Sequence, residues 1–241
     1  MALISLRGVT KRYQGGKVAV DGLNLEIQPG EIFGFLGPNG AGKTTTIKML
    51  VGLLTPDSGQ VNVAGVDVLA DPIAAKRRVG FVPDNPDLYD RLTGLEFLNF
   101  ISDVYGVPVA ERQERILRLG DMFELTADLK GRISSYSHGM QQKLALMSAL
   151  VHEPPVWILD EPMIGLDPRS AHLLKGLMAE HVRAGNSVFF STHVLEVAER
   201  LCDRVGIINH GRLVALGTLD ELRQGDGNET LEKIFLELTE K

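Results

Sequence analysis

The stretch GPNGAGKTT, from Gly37 to Thr45, decides the fold of this chain. It fits the pattern G-x-x-x-x-G-K-[ST]. The apolar run Ile32–Leu36 before it predicts a strand, and the apolar pattern of residues 44–53 predicts a helix. Glycine lets such a loop wrap with its N–H groups inward, toward a phosphate at the positive end of the helix dipole. The predicted phosphate loop consists of Gly37, Pro38, Asn39, Gly40, Ala41, Gly42, Lys43, Thr44 and Thr45.

Two side chains at the end of this loop carry chemistry. Lys43 adds a point charge for the outer phosphates of a nucleotide. Thr44 would place its hydroxyl on Mg²⁺, because a hard cation takes oxygen ligands and keeps some of its waters. The loop therefore predicts a site for a nucleotide and magnesium.

A second apolar run, residues 156–159, ends in the acids Asp160 and Glu161. A short continuous apolar run is typical of a central parallel strand, and ligands of open α/β sheets bind at the carboxyl ends of such strands. Adjacent residues point to opposite sides of a strand, so the two acids need not share a role. Asp160 would hold Mg²⁺ through water, and Glu161 would orient or deprotonate the water that attacks the γ-phosphate.

Composition limits the class of protein. The chain has 241 residues, 44% of them hydrophobic and 23% charged, which suits one globular α/β domain with a smaller lobe. A net charge of −6 argues against broad nucleic-acid binding, and the single cysteine, Cys202, excludes an internal disulfide framework. No apolar run approaches the roughly 18 residues of a membrane span, and no signal-peptide layout begins the chain, so we expect a soluble, cytoplasmic protein.

The pattern along the chain predicts a parallel-sheet core interrupted by helices. We expect a core over residues 1–83 and 156–217, a helical subdomain over 84–155 and a helical tail over 218–241. Helices are predicted inside the subdomain at 94–105, 109–123 and 138–151. The tail carries one apolar stripe, which would pack on the core of the chain or on a partner: Leu231, Ile234, Phe235 and Leu238.

Three further motifs complete an ordered set: YSHGMQQ from Tyr136, GLDP from Gly165 and STH ending at His193. Together with the loop and the acidic strand, they resemble the ATP-binding subunit of ABC transporters, over about residues 3–219. The resemblance implies an α/β fold: a P-loop NTPase core with a mainly parallel sheet, an N-terminal antiparallel β portion and an inserted α-helical subdomain. Among family members, the sequence looks most like subunits of exporters whose membrane part is encoded separately.

The same resemblance implies ATP and Mg²⁺ as cofactors and a head-to-tail dimer with a second ATPase subunit, identical or not. The signature residues of one subunit would meet the γ-phosphate held by the other; they are Ser137, His138, Gly139 and Met140. Asp167 would lie at the dimer interface. Taken locally, Ser137 and Asp167 are also ordinary residues for starting a helix.

Two more roles follow from the resemblance. Tyr13 would stack on adenine, and His193 would contact the γ-phosphate and hold the attacking water and Glu161 in register. The partner would be an integral membrane permease, so the chain would lie on the inner face of the cell membrane. Residues Leu88, Tyr89 and Leu92 would form the docking groove for the permease, although packing within the helical lobe explains them equally well.

The chain departs from the family at Asp84, where a glutamine is usual. Aspartate can accept from water or ligate magnesium, but it cannot donate as an amide does. Three interpretations stay open: Asp84 does the work of the glutamine at the metal, Asn85 replaces it through a shift of the loop, or catalysis is weakened.

Two other functions compete with the transporter motor. The first is a soluble ATPase of the same class that acts as a switch on ribosomes or DNA, although such proteins usually fuse two ATPase domains or carry long insertions. The second is an interaction module that binds ATP and barely turns it over, which Asp84 would favour.

Overall fold

Within residues 1–163, 166–223 and 230–239, which the computed structural model describes, the chain forms ten strands and nine α-helices. The strands are β1 (Ile4–Arg12), β2 (Val18–Ile27), β3 (Ile32–Leu36), β4 (Ser58–Val63), β5 (Val66–Asp67), β6 (Val79–Val82), β7 (Val156–Asp160), β8 (Ser187–Thr192), β9 (Arg204–Asn209) and β10 (Arg212–Gly217). The helices are α1 (Lys43–Leu50), α2 (Pro72–Lys76), α3 (Gly94–Tyr105), α4 (Val109–Met122), α5 (His138–Leu150), α6 (Pro168–Arg183), α7 (Leu195–Leu201), α8 (Leu219–Leu222) and α9 (Leu231–Thr239).

The strands form two sheets. The first is antiparallel, in the order β2-β1-β4-β5, and the second has the order β10-β9-β3-β8-β7-β6. Every neighbouring pair in the second sheet is parallel except β9 and β10. Helices α3, α4 and α5 lie between β6 and β7 in the chain. The predicted fold class, a mainly parallel core with an antiparallel N-terminal portion and inserted helices, is confirmed.

The central strands are apolar because both of their faces are covered. Every residue of β3, β7 and β8 is buried, which explains why these segments show continuous apolar runs without alternation. Rings from β3 and β8 meet in the core: Phe189 lies 5.9 Å from Phe33 and 5.4 Å from Phe35, measured between ring centroids. This packing fixes the two strands whose ends carry the phosphate loop and His193.

Three elements differ clearly from their sequence-based bounds. The antiparallel strands extend over 4–12 and 18–27, whereas the apolar runs predict only 3–8 and 23–27. Glycines with positive φ at Gly8 and Gly22, together with shifts of register, break the alternation that would have marked the longer strands. Helix α1 ends at Leu50 and not at residue 53, because the chain turns at Gly52 with φ 66°.

The C-terminal helix covers the chain's own core. Leu231 and Ile234 are buried against Leu36 and Ala198, and Phe235 and Leu238 pack at the edge of the same cluster. This contact favours the interpretation in which the apolar stripe of the tail packs on its own domain. The rest of the predicted tail, residues 224–229 and 240–241, lies outside the described residues, as does Gly165 of the GLDP motif.

A half-buried pair of rings connects the helical insertion to the sheet. The imidazole of His152 stacks on Tyr105 at the end of α3, with ring centroids 3.7 Å apart, and its Nε2–H donates to the carbonyl of Val79 in β6 at 3.1 Å. Burial lowers the pKa of His152 to about 4, and burial also lowers that of His181 to about 4. Both imidazoles are therefore neutral in the folded protein at physiological pH.

These histidines make stability depend on pH. In the unfolded chain these histidines become protonated below their ordinary pKa of 6.5, whereas in the folded chain they stay neutral down to about pH 4. The free energy of unfolding therefore falls as pH decreases from 6.5 to 4. The fall is at most about 1.4 kcal/mol per pH unit for each histidine. In urea titrations between pH 6.5 and 5, the free energy of unfolding of His152→Gln should fall less steeply with decreasing pH than that of the parent protein, by up to about 1.4 kcal/mol per pH unit; equal slopes would contradict the assignment.

Candidate active site

A cavity of about 260 Å³ opens at the carboxyl edge of the larger sheet. Three parts of the chain converge on it: the hairpin between β1 and β2, the phosphate loop, and the ends of β6 and β7. The residues that line it are Tyr13, Lys17, Ala19, Pro38, Asn39, Gly40, Gly42, Lys43, Thr44, Thr45, Asp84, Asp160 and Glu161. Most of the sequence-predicted nucleotide and metal residues therefore surround one cavity.

Close backbone packing shapes the phosphate loop. Gly42, which caps the start of α1, has φ 117°, and a Cβ there would collide with the carbonyl oxygen of Ala19. A Cβ at Gly37 would collide with the carbonyl oxygen of Ile208 in β9. Neither position tolerates a side chain without movement of the loop, so glycine at both is a requirement of the fold as well as of phosphate binding.

Lys43 places a buried cation at the floor of the cavity. Its ammonium donates to the carbonyl oxygens of Gly37 at 2.5 Å and Pro38 at 3.2 Å. Burial lowers the pKa of Lys43, and the charges of Glu161 and Asp160 oppose that shift. The negative charges of Glu161 and Asp160 therefore stabilise the protonated form of Lys43, next to the N–H groups of the loop.

Asp160 is almost fully buried at the end of β7 and accepts a hydrogen bond from the hydroxyl of Ser191 in β8. Burial raises the pKa of Asp160; the charges of Asp84 and Glu161 add to that rise, while hydrogen bonds from Ser191 and Thr44 oppose it. The hydroxyl of Thr44 and the carboxylate of Asp160 are thus neighbours. They form a pair of hard oxygen ligands that fits Mg²⁺ bound together with phosphate and water.

The metal ligands do not form an all-protein cage. Among the described residues, no three side chains of the His, Cys, Asp and Glu types converge on one point where they could hold a metal. Asp84 lines the cavity as an exposed residue, and its Oδ1 accepts from the N–H of Asn85 at 2.8 Å. Since Asn85 does not line the cavity, the structure brings Asp84 to the site and not its neighbour.

Glu161 and His193 form a directed pair. Glu161 has φ 50°, a conformation that costs energy for a residue with a side chain, and its N–H donates to the carbonyl of Ser191 at 3.1 Å. One carboxylate oxygen, Oε1, accepts from Nδ1–H of His193 at 2.8 Å. The other, Oε2, is buried and has no partner among the described residues. The pair matches a general base whose carboxylate is held in orientation by a second group.

Tyr13 lies at the rim of the cavity, 43% exposed, with its hydroxyl 3.3 Å from Oγ1 of Thr45. Lys17 and Ala19 line the same cavity, and sequence reasoning missed both. Neither belongs to a motif; the only signal was their place in the hairpin that follows Tyr13, with two glycines at its turn.

The signature residues lie outside this cavity. Ser137 caps α5, accepting from the N–H of Met140 at 3.3 Å, while His138 beside it is exposed. Asp167 caps α6 in the same way, with bonds from the N–H groups of Arg169 at 3.0 Å and Ser170 at 2.9 Å. Within one chain, both segments are helix starts that present polar groups away from the phosphate loop.

Comparison with known proteins identifies relatives of the whole arrangement. The family model described as "ABC transporter" matches residues 20–164. The linearmycin resistance ATP-binding protein LnrL of Bacillus subtilis (strain 168) is 36% identical, over 95% of this chain and 73% of its own length. The ABC-type transporter ATP-binding protein EcsA of the same organism is 36% identical over 100% of this chain and 98% of its own length. The Nod factor export ATP-binding protein I of Cupriavidus metallidurans is 39% identical, over 92% of this chain and 73% of its own.

Solved structures agree with these relatives. The structure of an ATP-binding subunit of an ABC transporter superposes with a TM-score of 0.94 at 34% identity, covering 98% of this chain and 99% of the other. A dimeric ATP-binding cassette in a post-hydrolysis state with ADP and Pi gives a TM-score of 0.79 at 28% identity, covering 90% and 98%.

The packing of the loop gives a direct test. Gly42→Ala should weaken ADP binding about tenfold or more, because the left-handed backbone and the collision with Ala19 both force the loop to move. Binding of a fluorescent ADP analogue measures this change. Gly176→Ala is the control: its Cβ meets nothing within 4 Å inside α6, so ADP affinity should stay the same and stability should rise by about 0.5–1 kcal/mol. Unchanged ADP affinity in Gly42→Ala would contradict the role of this glycine.

Proposed function

This chain belongs to the ABC transporter family as an ATP-binding, ATP-hydrolysing subunit, and we propose that the cavity at the phosphate loop is where it hydrolyses ATP to drive export through a membrane permease. The observation that carries the assignment of the site is the hydrogen-bonded pair of Glu161 and His193 beside the loop. The motor role explains why one cavity combines a buried cation, a pair of hard oxygen ligands and a general base.

We assign each group a role in the reaction. The loop N–H groups and Lys43 bind the outer phosphates of ATP, and Thr44 and Asp160 hold Mg²⁺. When bound, the metal supplies charge that neutralises the phosphate oxygens. Glu161 orients or deprotonates the attacking water, while His193 fixes the orientation of the carboxylate through Oε1. Tyr13 stacks on the adenine at the rim.

A second ATPase subunit completes the site. Ser137, His138, Gly139 and Met140 lie outside the cavity of their own chain, and an exposed helix start of this kind offers N–H donors to an anion. In the proposed dimer they meet the γ-phosphate held by the other subunit, and Asp167 lies at the interface. ATP then stabilises the closed dimer through contacts that the open pair lacks. The dimeric form of a similar ATP-binding cassette supports this arrangement.

Hydrolysis kinetics test the function. Turnover of Mg-ATP per subunit should rise with protein concentration, because the active unit is a dimer. Glu161→Gln should lower turnover by roughly 10²–10⁴, the usual contribution of a positioned acid or base, while ATP binding persists. This variant, purified alongside, also controls for contaminating ATPases.

Two results would contradict the assignment. Near-normal turnover in Glu161→Gln would remove this residue from the role of base. Parent turnover equal to that of the variant, both alone and with a co-expressed permease, would favour the slow-turnover interaction module.

We propose that the permease contacts an apolar strip that begins five residues after Asp84 in the sequence. Tyr89 is 57% exposed, and its ring meets the edge of Phe100 in α3 at 5.7 Å between centroids. Val104, one turn further along α3, is also exposed, whereas Leu88 and Leu92 pack partly against the core. We assign the docking surface to the exposed strip of Tyr89, Phe100 and Val104. Leu88 and Leu92 are partly buried against the core and anchor the segment that carries Tyr89.

We propose that the chain lies on the inner face of the cell membrane and is held there by contact between this strip and the permease. In the part of the chain that the structure describes, no helix is both long and apolar enough to span a bilayer. Export is supported by relatives named for Nod factor export and linearmycin resistance. Relatives of this kind do not favour the alternative of a switch on ribosomes or DNA.

Charge substitutions test the docking surface. Tyr89→Glu and Phe100→Glu should reduce copurification with a co-expressed permease, because a charge would lose water on entering an apolar interface. Both side chains are substantially exposed, so the isolated variants should keep the parent's basal ATPase activity. Val109→Glu is the matched control, since Val109 is 78% exposed and lies at the start of α4, outside the strip. Unchanged copurification in all three variants would contradict this surface.

We include Asp84 in the proposed site. It lines the cavity with Asp160 and Glu161, so we propose that it does the work of the family's glutamine by accepting from water near the metal. Lys43 and Glu161 line the same cavity, and His193 is hydrogen-bonded to Glu161, which supports an active site and not a weakened one.

A further inference from the structure

The hairpin between β1 and β2 carries a cation to the mouth of the cavity. The N–H of Tyr13 donates to the carbonyl of Lys17 at 2.9 Å, and the turn between them passes through Gly15 and Gly16 with φ of 90° and 83°. This geometry closes the hairpin and places both residues on the wall of the same cavity. Position, and not membership of a motif, makes Lys17 part of the site.

No other described residue competes for the side chain of Lys17. Its side chain is exposed, and among the described residues it takes part in no side-chain hydrogen bond or ion pair. The other cation on the cavity wall, Lys43, is committed to the carbonyls of Gly37 and Pro38 at the floor. An ammonium group at the rim is therefore available to a ligand.

The charge of the cavity gives this ammonium a function. Among the residues that the structure describes, the cavity wall carries three carboxylates, those of Asp84, Asp160 and Glu161, and two cations. The whole chain carries a net charge of −6, so a polyanionic nucleotide approaches against an unfavourable field. A second cation at the entrance offsets part of that repulsion.

We propose that Lys17 binds the sugar-proximal phosphate of the nucleotide, an inference that rests on the proposed ATP site. The base stacks on Tyr13 and the outer phosphates lie in the loop, so the phosphate next to the ribose passes the hairpin that holds Lys17. Lys17 belongs to this hairpin, whereas the groups that act on the γ-phosphate stand at the end of β7. It therefore contributes to nucleotide affinity and not to the chemical step.

Binding and kinetics of three variants test the inference. In Glu161→Gln protein, Lys17→Gln should weaken ADP and ATP binding equally, by roughly two- to fivefold, the size of an exposed ion pair. The difference should shrink in 0.5 M salt, where the screening length is only about 4 Å. Lys17→Arg should keep nearly the parent affinity. With Glu161 intact, Lys17→Gln should raise KM and leave kcat unchanged.

Lys48→Gln is the matched control, because Lys48 is an exposed lysine of α1 that does not line the cavity. Equal affinity of parent, Lys17→Gln and Lys48→Gln would overturn the inference while the ATP site stands. A larger effect on ATP than on ADP would also overturn it, since Lys17 would then serve the γ-phosphate. Failure of the parent protein to bind ADP at all would instead overturn the proposed function.

Discussion

The parallel alignment of β3, β8 and β7 is the constraint on which the site depends. Strand β8 lies between the other two, with Leu36 opposite Thr192 and Asp160 opposite Ser191. Because the three strands run in one direction, their carboxyl ends reach the same edge, and the residues that follow them are the phosphate loop, His193 and Glu161. The buried phenylalanines of β3 and β8 hold this alignment from within the core. Disturbing it would separate groups that act together.

The site contains buried charges and a left-handed backbone, each of which costs free energy of folding. Lys43 and Asp160 are buried, and each is made tolerable by the opposite charges or hydrogen bonds around it. Glu161 adds a left-handed backbone and one buried carboxylate oxygen with no partner among the described residues. Such features persist only where the surrounding fold over-determines them. A nucleotide with its metal would offset much of this cost, so binding and stability should be coupled at this edge of the sheet.

Two kinds of surface outside the cavity, polar helix starts and an apolar strip, are those that the proposed second subunit and permease would contact. The side chain of Ser137 accepts from one N–H group of its helix start and that of Asp167 from two, yet neither residue lines the cavity in one chain. The apolar strip at Tyr89 follows Asp84 by only five residues in sequence, so the proposed permease contact lies close along the chain to the nucleotide site. In the proposed assembly, this short segment would link closure of a dimer to movement of a permease.

The sequence alone determined the phosphate loop, the acidic strand end, the class of fold and the family, because each depends on local patterns: glycine spacing, continuous apolar runs and motif order. It placed α5 and β7 closely, but it missed residues 9–12 of β1 and 18–22 of β2, because glycines with positive φ and shifts of register break the alternation there. Only the tertiary structure decided that Asp84 and not Asn85 reaches the cavity, that Oε1 of Glu161 meets His193, and that Lys17 stands at the rim. These facts depend on residues far apart in the chain, whose distances are set by sheet order and packing and leave no periodic signal in the sequence.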